Sequence, residues 1–434
     1  MSVVVIGAGL AGCEAAWQLA KRGIPVTLYE MKRKQRTPAQ NSDSFAELVC
    51  SNSLRSDQLE NAVGLLKEEL RRLGSLILAC ADETRVEAGG ALAVDREGFA
   101  ALVTKRISEC PLITVIEDEV SELPANGDVI VATGPLTSDR LSQSIARYFG
   151  REHLYFFDAA APIVTRESVD MSKAFFASRY DKGTPDYINC PMDEAEYTAF
   201  YEALVSAETA ELKAFEGNKV FEGCMPVEVM AKRGKDTLLF GPLKPVGLLD
   251  PRTEKQFHAV VQLRKDNSGG TLYNLVGFQT HLRFHEQQRV FSMIPGLEKA
   301  EFIRYGVMHR NTYIQSPSLL SAQYEVRTRQ GLYFAGQMTG VEGYVESTAS
   351  GFVAGLALAE RLLGKAATVF SPCTAIGALG TYISNESIVN FQPMNCNFGL
   401  FSPLTERIRK KRDRAGAMAQ RSLLEIDGLL AQVL

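Results

Sequence analysis

Two cysteines stand apart from the rest of the chain by what surrounds them. Cys224 lies in Phe221-Glu222-Gly223-Cys224-Met225-Pro226-Val227-Glu228-Val229-Met230-Ala231, and Cys50 opens the polar run Ser51-Asn52-Ser53-Leu54-Arg55-Ser56-Asp57. Both sit in glycine- or serine-flanked turns, a setting in which a thiolate can act as a nucleophile. Cys224 precedes Pro226, a favoured first residue of a helix expected over Val227 to Lys232, and a helix N-terminus stabilises a thiolate through its dipole. Cys50 stands just before Ser51, Asn52 and Ser53, which are cap-like residues, and the same reasoning places it at a helix start. The plainer reading of either residue is a small buried hydrophobe. Cys190, in Asn189-Cys190-Pro191-Met192, has a similar look and is read as core or substrate wall.

The elements that must position these thiols begin at the N-terminus. Val3 to Ile6 is a short apolar, β-branched run, Gly7-Ala8-Gly9-Leu10-Ala11-Gly12 is a full G-x-G-x-x-G, Glu14 to Lys21 is helical by composition, and Val26-Thr27-Leu28-Tyr29-Glu30 closes the unit. Such glycines allow a tight turn and close approach of a pyrophosphate to a helix N-terminus. Glu30, eighteen residues after Gly12, is placed to accept a hydrogen bond from a ribose hydroxyl. Two later segments favour FAD over NAD. Asp128 to Ala132 reads as a buried strand ending at Thr133-Gly134, and Gly331-Leu332-Tyr333-Phe334-Ala335-Gly336 is a second strand-to-glycine step. After Gln337, Gly343 and Tyr344 comes a small-residue helix, from about Ser347 through Gly351 and Gly355 to Leu363, whose N-terminus can meet the far end of a long dinucleotide. Tyr344 can stack on a flavin or pterin ring or pack the sheet end. Cofactor contacts are therefore expected at Gly7, Ala8, Gly9, Leu10, Ala11, Gly12, Glu30, Thr133, Gly134, Gly336, Gln337, Gly343 and Tyr344. With a single full-strength nucleotide loop, no internal NAD(P) domain is expected.

Between residues 161 and 309 the pattern changes to polar helical stretches such as Met192 to Ala207 and short strands such as Thr237 to Phe240 and Thr271 to Val276, with a turn at Asp266 to Gly270. This predicts a Rossmann-like α/β FAD domain of the glutathione-reductase type, 1–160 and 310–434, split by an inserted α+β domain, 161–309, on the substrate side. At 434 residues the chain is long enough for two or three lobes. None of its eight cysteines is spaced as C-x-x-C, so neither a disulfide framework nor a zinc ribbon is suggested and a reducing compartment fits best. There is no signal-like or membrane-length apolar run, which predicts a soluble, cytoplasmic protein with no membrane partner. The net charge of -4 argues against a generic nucleic-acid sponge, yet Arg407, Arg409, Lys410, Lys411, Arg412 and Arg414 crowd together, as an RNA contact or a solvated helical face. His281 and His285 would share a face if Thr280 to Arg289 were helical; with no third ligand evident, no metal is expected. Arg283, Arg289, Arg304 and Arg310 are read as partners for phosphate or the carboxylates of a substrate tail, or as ordinary ion-pair residues.

Longer signatures narrow this further. Glu47 to Arg55, Phe221 to Lys235, Gly241 to Leu248, Arg304 to Asn311 and Asn390 to Asn395 together resemble, over essentially the whole chain, the TrmFO family of folate- and FAD-dependent tRNA (uracil-5-)-methyltransferases. The related MnmG (GidA) flavoproteins share the N-terminal loop and the split FAD domain but carry a long helical C-terminal extension. The resemblance implies that 5,10-methylenetetrahydrofolate supplies a one-carbon unit, that FAD mediates its reduction, and that NADH or NADPH recharges the flavin. The implied acceptor is C5 of the T-loop uridine, position 54, of tRNA. It also implies that Cys224 and Cys50 are the essential cysteines. Uracil C5 is a poor nucleophile until a thiolate adds to C6, which suits Cys224, while Cys50 resembles the family's second essential cysteine on the flavin side, suited to proton removal from C5 or to protecting the methylene-flavin intermediate. A ribosomal RNA uridine as acceptor, a small-molecule flavin oxidoreductase and a non-enzymatic RNA-binding factor are the other readings. Assembly as a monomer and as a dimer are both compatible with the sequence.

Overall fold

The computed structural model describes the chain apart from residues 1, 38–39, 151–153, 160, 182, 211–224, 254–255, 307, 389–390 and 434, and apart from the side chains of 154–159, 308–312 and 432–433. The apolar run at the start forms the strand Val3–Ile6, which pairs in parallel with Val26–Tyr29 on one side and Val129–Val131 on the other. Ile113–Ile116 and Leu332–Phe334 extend this into a five-stranded parallel sheet. Sheets covered on both faces need apolar residues at successive positions, and Val129–Val131 and Leu332–Phe334 are buried throughout. From Val3–Ile6 the chain steps outward through Val26–Tyr29 to Ile113–Ile116, then returns to the opposite side at Val129–Val131. That reversal leaves a crevice at the carboxyl ends of the two central strands.

The helix Leu10–Ala20 crosses the helix Tyr344–Leu362 at close range. A methyl added at Gly351 would stand 2.1 Å from the Ala11 carbonyl oxygen, and one at Gly355 would stand 2.7 Å from that of Ala15. Only glycine lets two backbones approach this far. The crossing brings the start of the chain and a segment more than three hundred residues later onto one sheet.

The chain between Ile163 and Arg304 builds a six-stranded antiparallel sheet, in the order Phe175–Ala177, Tyr187–Met192, Ala259–Lys265, Leu272–Leu275, Ile163–Thr165 and Phe302–Arg304. Residues of the helices Glu194–Ser206, Val227–Lys232 and Phe284–Phe291 share its core with Cys190, Val261, Leu263 and Phe278. Cys190 is therefore a core residue, its thiol pushed up to about 12 by burial. Leu154–Ala159 and Met308–Tyr313 pair antiparallel where the chain enters and leaves this region.

Three local expectations change. Thr237–Phe240 is a 3-10 turn rather than a strand, because Thr237 N donates to Gly234 O and Leu243 N to Leu238 O, closing short loops, and Phe240 is left exposed. The helix expected from Thr280 starts at Phe284, because the Thr280 hydroxyl and the His281 amide are both taken by Glu228. His281 and His285 thus share no helix face, and the described residues contain no cluster of metal-ligating side chains. Cys50 leads into the strand Ser53–Ser56, not into a helix. The Ser51 and Ser53 hydroxyls accept from the amides of Ser53 and Arg55, two residues on, which makes turns where capping was expected.

Candidate functional site

A cleft opens at the carboxyl ends of the parallel sheet. Its walls include Gly7, Ala8 and Gly9 from the first loop, Leu10 and Ala11 from the helix it opens, Glu30, then Thr133 and Gly134, and finally Gly336, Gln337 and Tyr344. The three loop glycines do different work. Gly7 has φ +98°, and a Cβ there would lie 2.7 Å from the Ala132 carbonyl oxygen. A Cβ on Gly12 would lie 1.8 Å from the Gly7 oxygen, so Gly12 shapes the turn without lining the cleft. A Cβ on Gly9 meets nothing within 4 Å, which leaves open space where a phosphate can reach the backbone at the start of the helix.

Glu30 is almost fully buried and accepts from the amides of Ala8 and Lys32, both at 2.8 Å. A carboxylate offers about four lone-pair sites, so it retains capacity for ribose hydroxyls on the cleft side. At the opposite end, Gly336 has φ +84° and its amide donates to the Ser350 hydroxyl at 2.6 Å. Gly343, with φ +118°, sets the entry to the second helix but does not line the cleft. Two helix starts, a bare glycine and a held acid fit a dinucleotide at this place.

Cys50 is half-buried, one residue beyond the cleft-lining Val49. Its amide donates to the Tyr344 hydroxyl at 2.8 Å, and the Ser51 amide donates to the same oxygen at 3.3 Å. Tyr344 therefore ties the Cys50 segment to the cleft wall, and burial pushes its hydroxyl well above the ordinary tyrosine value. The carbonyls of Leu48 and Val49 accept from Arg96 and from Arg304, the latter at 2.7 Å. Arg264 donates to the Ser51 hydroxyl at 2.6 Å and to Asn52 at 3.2 Å. Two left-handed non-glycine residues, Ala46 at φ +49° and Arg55 at φ +64°, flank the segment. Such backbone is retained where surrounding contacts enforce it. Elsewhere in the core, burial raises the thiols of Cys13 and Cys396, and that of Cys80 to about 11, as expected of inert core cysteines.

Cys224 lies outside the described residues. The chain immediately after it is well held: Met225 is buried, Pro226 precedes the helix Val227–Lys232, and the Val227 amide donates to the Gln279 carbonyl at 2.7 Å. Glu228 in that helix is fully buried, with its carboxylate accepting from the Thr280 hydroxyl at 2.7 Å and the His281 amide at 3.1 Å. His281 Nδ1 lies 2.5 Å from the same carboxylate, within ion-pair range although the ring is not aligned for a hydrogen bond. Among the arginines singled out by sequence, Arg283 pairs with Glu208 at 3.2 Å and Arg289 with Glu286 at 2.6 Å, both at the surface. Among the described side chains of that group, Arg304 alone turns inward to the Cys50 segment; the side chain of Arg310 is not described.

The same fold occurs in known proteins. The family model of glucose inhibited division protein A (GidA) matches residues 2–366. The chain belongs to the GidA family. It is 61% identical over 432 residues to the methylenetetrahydrofolate–tRNA-(uracil-5-)-methyltransferase TrmFO of Heliobacterium modesticaldum, covering 100% of this chain and 98% of that protein. It is 64% identical over 419 residues to the TrmFO of Acetivibrio thermocellus, covering 96% of each. The structure of Aquifex aeolicus GidA in its form II crystal superposes with a TM-score of 0.71 at 17% identity, over 98% of this chain and 73% of that one, so the fold is shared. The GidA-family fold is a Rossmann-like, FAD-binding one, and the parallel sheet supplies it here.

Within this GidA-family chain, sequence reasoning missed Arg96, Arg264 and Asp266. No short motif marks them, since they reach the Cys50 segment only through the packing of distant elements. One signal was available: Arg264 follows the strand-like run Ala259-Val260-Val261-Gln262-Leu263, and a charge held in a buried strand requires a partner.

Proposed function

We propose that this chain transfers a one-carbon unit from 5,10-methylenetetrahydrofolate to C5 of the T-loop uridine, position 54, of tRNA, with NADH or NADPH as reductant. The similarity to TrmFO proteins, at about 60% identity over nearly the whole of both chains, carries this reading. FAD would be held by the Gly7 to Ala11 loop, Glu30, Thr133, Gly134, Gly336 and Gln337, and when bound it supplies the redox chemistry that takes the one-carbon unit to the methyl level. In this reading Cys224 is the nucleophile. Its thiolate adds to C6 of the uracil ring, the C5–C6 electron pair moves toward C5 and the C4 carbonyl, and C5 attacks the one-carbon unit, whose bonds to its carrier nitrogens break with their electron pairs returning to nitrogen while a hydride originating in NADH or NADPH completes the methyl group. Cys50 takes the proton that C5 must then lose, and the Cys224 sulfur departs as the ring double bond reforms. Tyr344 orients the Cys50 backbone for that task.

The domain division goes with this proposal: residues 1–160 and 310–434 bind FAD, and the insert, 161–309, faces substrate and RNA. Exposed Arg407, Arg409, Lys410, Lys411, Arg412 and Arg414 are offered as phosphate contacts for tRNA. No helix among the described residues is long and apolar enough to cross a membrane. A cytoplasmic setting, where tRNA and folate meet, suits the reaction.

The test is nucleoside mass spectrometry on tRNA and ribosomal RNA from cells with and without the gene. It is paired with methylation of a tRNA transcript by the purified chain given FAD, 5,10-methylenetetrahydrofolate and NADPH or NADH. Loss of 5-methyluridine from tRNA alone is expected. Loss confined to ribosomal RNA, or no product in the purified reaction, would overturn the proposal.

A further inference from the structure

The segment Leu48 to Asn52 is gripped from three sides. Arg96, the first residue of the helix Arg96–Ser108, reaches the Leu48 carbonyl and is itself clamped by Asp266, at 2.9 and 3.1 Å. Arg304, at the end of the last strand of the antiparallel sheet, reaches the Val49 carbonyl at 2.7 Å. Tyr344 holds the next two amides, and Asn52 is fully buried, donating to the Val94 and Lys265 carbonyls, each at 2.9 Å. The carbonyls before the thiol and the amides at and after it are thus all engaged, and two guanidinium groups converge on one short stretch of backbone.

We infer that Arg304 is a positioning residue for Cys50: together with Arg96 it fixes the carbonyls preceding the thiol and creates the positive field in which a thiolate is the favoured form. The inference rests on the reading of Cys50 as a reacting residue. The groups around Cys50 have the charges this requires. Arg96 comes from one helix and Arg304 from the antiparallel sheet, and both interact electrostatically with Cys50. Tyr344, from the second helix of the cleft, stays protonated. Arg264 adds a further buried cation on Ser51. The nearby acids are already paired, Asp266 with Arg96 and Glu47 with Lys32 at 3.2 Å. Burial and the neighbouring Arg96 make the Arg304 charge more costly to hold, while Tyr344, Cys50 and Glu47 act in the opposite sense. Such a cation gains most from an anion beside it.

The experiment is alkylation of the full-length, FAD-loaded protein with iodoacetamide across a pH series, with the Cys50 peptide followed by mass spectrometry and the Cys110 and Cys373 peptides as internal references. Arg304→Gln is expected to slow alkylation of Cys50 about tenfold at neutral pH by moving its midpoint up by about one unit. Arg304→Lys is expected to restore most of the rate. Asp266→Asn, which strips Arg96 of its carboxylate, is expected to move the midpoint the other way. A purely structural role for these residues would not produce opposite signs. A midpoint unmoved in both Arg304→Gln and Asp266→Asn overturns the inference, and should Arg304→Gln fail to fold, Asp266→Asn decides alone. The assay is independent of turnover: methylation by Cys50→Ala would remove Cys50 from the reaction while leaving these shifts to be read on their own.

Discussion

Replacing Gly9 by valine separates cofactor binding from folding. The backbone at Gly9, φ −75° and ψ −170°, is open to any L-residue, the position is exposed, and its Cβ meets no heavy atom within 4 Å. Without flavin the variant should therefore fold, with stability changed by no more than about 0.5 kcal/mol. The added methyls fill the space through which a pyrophosphate approaches the loop amides. Losing one charge-assisted hydrogen bond costs about 1.5–3 kcal/mol, which is a drop of about 10- to 150-fold in FAD affinity. Gly12→Ala is the contrasting case, since its Cβ would press to 1.8 Å of the Gly7 oxygen. That backbone clash should lower the stability of the flavin-free protein by about 1–3 kcal/mol. Deflavinated proteins would be melted thermally and titrated with FAD by flavin fluorescence. Native affinity in Gly9→Val, or a melting loss equal to that of Gly12→Ala, would refute the assignment of the open space above Gly9 to phosphate.

Cys224→Ala should bind and reduce FAD normally yet fail to trap tRNA carrying 5-fluorouridine. Cys50→Ala should still form that adduct but not turn over, and the opposite pattern on denaturing gels would reverse the two roles. Reversing the charges of Arg407, Arg409 and Lys410 should weaken tRNA binding and flatten its salt dependence by about 0.9 in log–log slope for each phosphate no longer neutralised; unchanged binding would return the cluster to a solvated surface. Glu69 is fully buried and accepts from the Ala375 and Ile376 amides, and burial lifts it to about 7. The folded state therefore holds a proton that the unfolded state has released, so this residue's contribution to stability should decline as pH rises from about 4.5 to about 7. Thermal melts of Glu69→Gln should show a shallower decline in that window, and an identical pH profile would count against the shift.

The parallel sheet and its loop were legible because their signals are local. The β-branched run, the glycine spacing and the acid closing the next strand occupy only Val3 to Glu30, and the helix Val227–Lys232 appeared where Pro226 announced it. What misled was context. Ser51 and Ser53 are good helix caps in isolation, but their hydroxyls close turns into a strand that pairs with Ala91–Val94, tens of residues away. The expected His281 helix failed for the same reason, since Glu228 claims the amide that a helix start would have used. The guanidinium groups around Cys50 come from positions 96, 264 and 304, and only the folded chain brings them to one loop.

The closing strand of the parallel sheet has a consequence for how the protein is made. Leu332–Phe334 pairs with Val129–Val131, yet it leaves the ribosome about 200 residues later. At roughly 5–20 residues per second that interval lasts on the order of 10–40 s. Throughout it, Val129–Val131 is a bare apolar edge, and the helix that must cross Leu10–Ala20 does not yet exist. Nascent chains are then most open to strand pairing with one another. The cleft is completed only by Gly336, Gln337 and Tyr344, so flavin capture falls after this interval and FAD supply cannot shorten it.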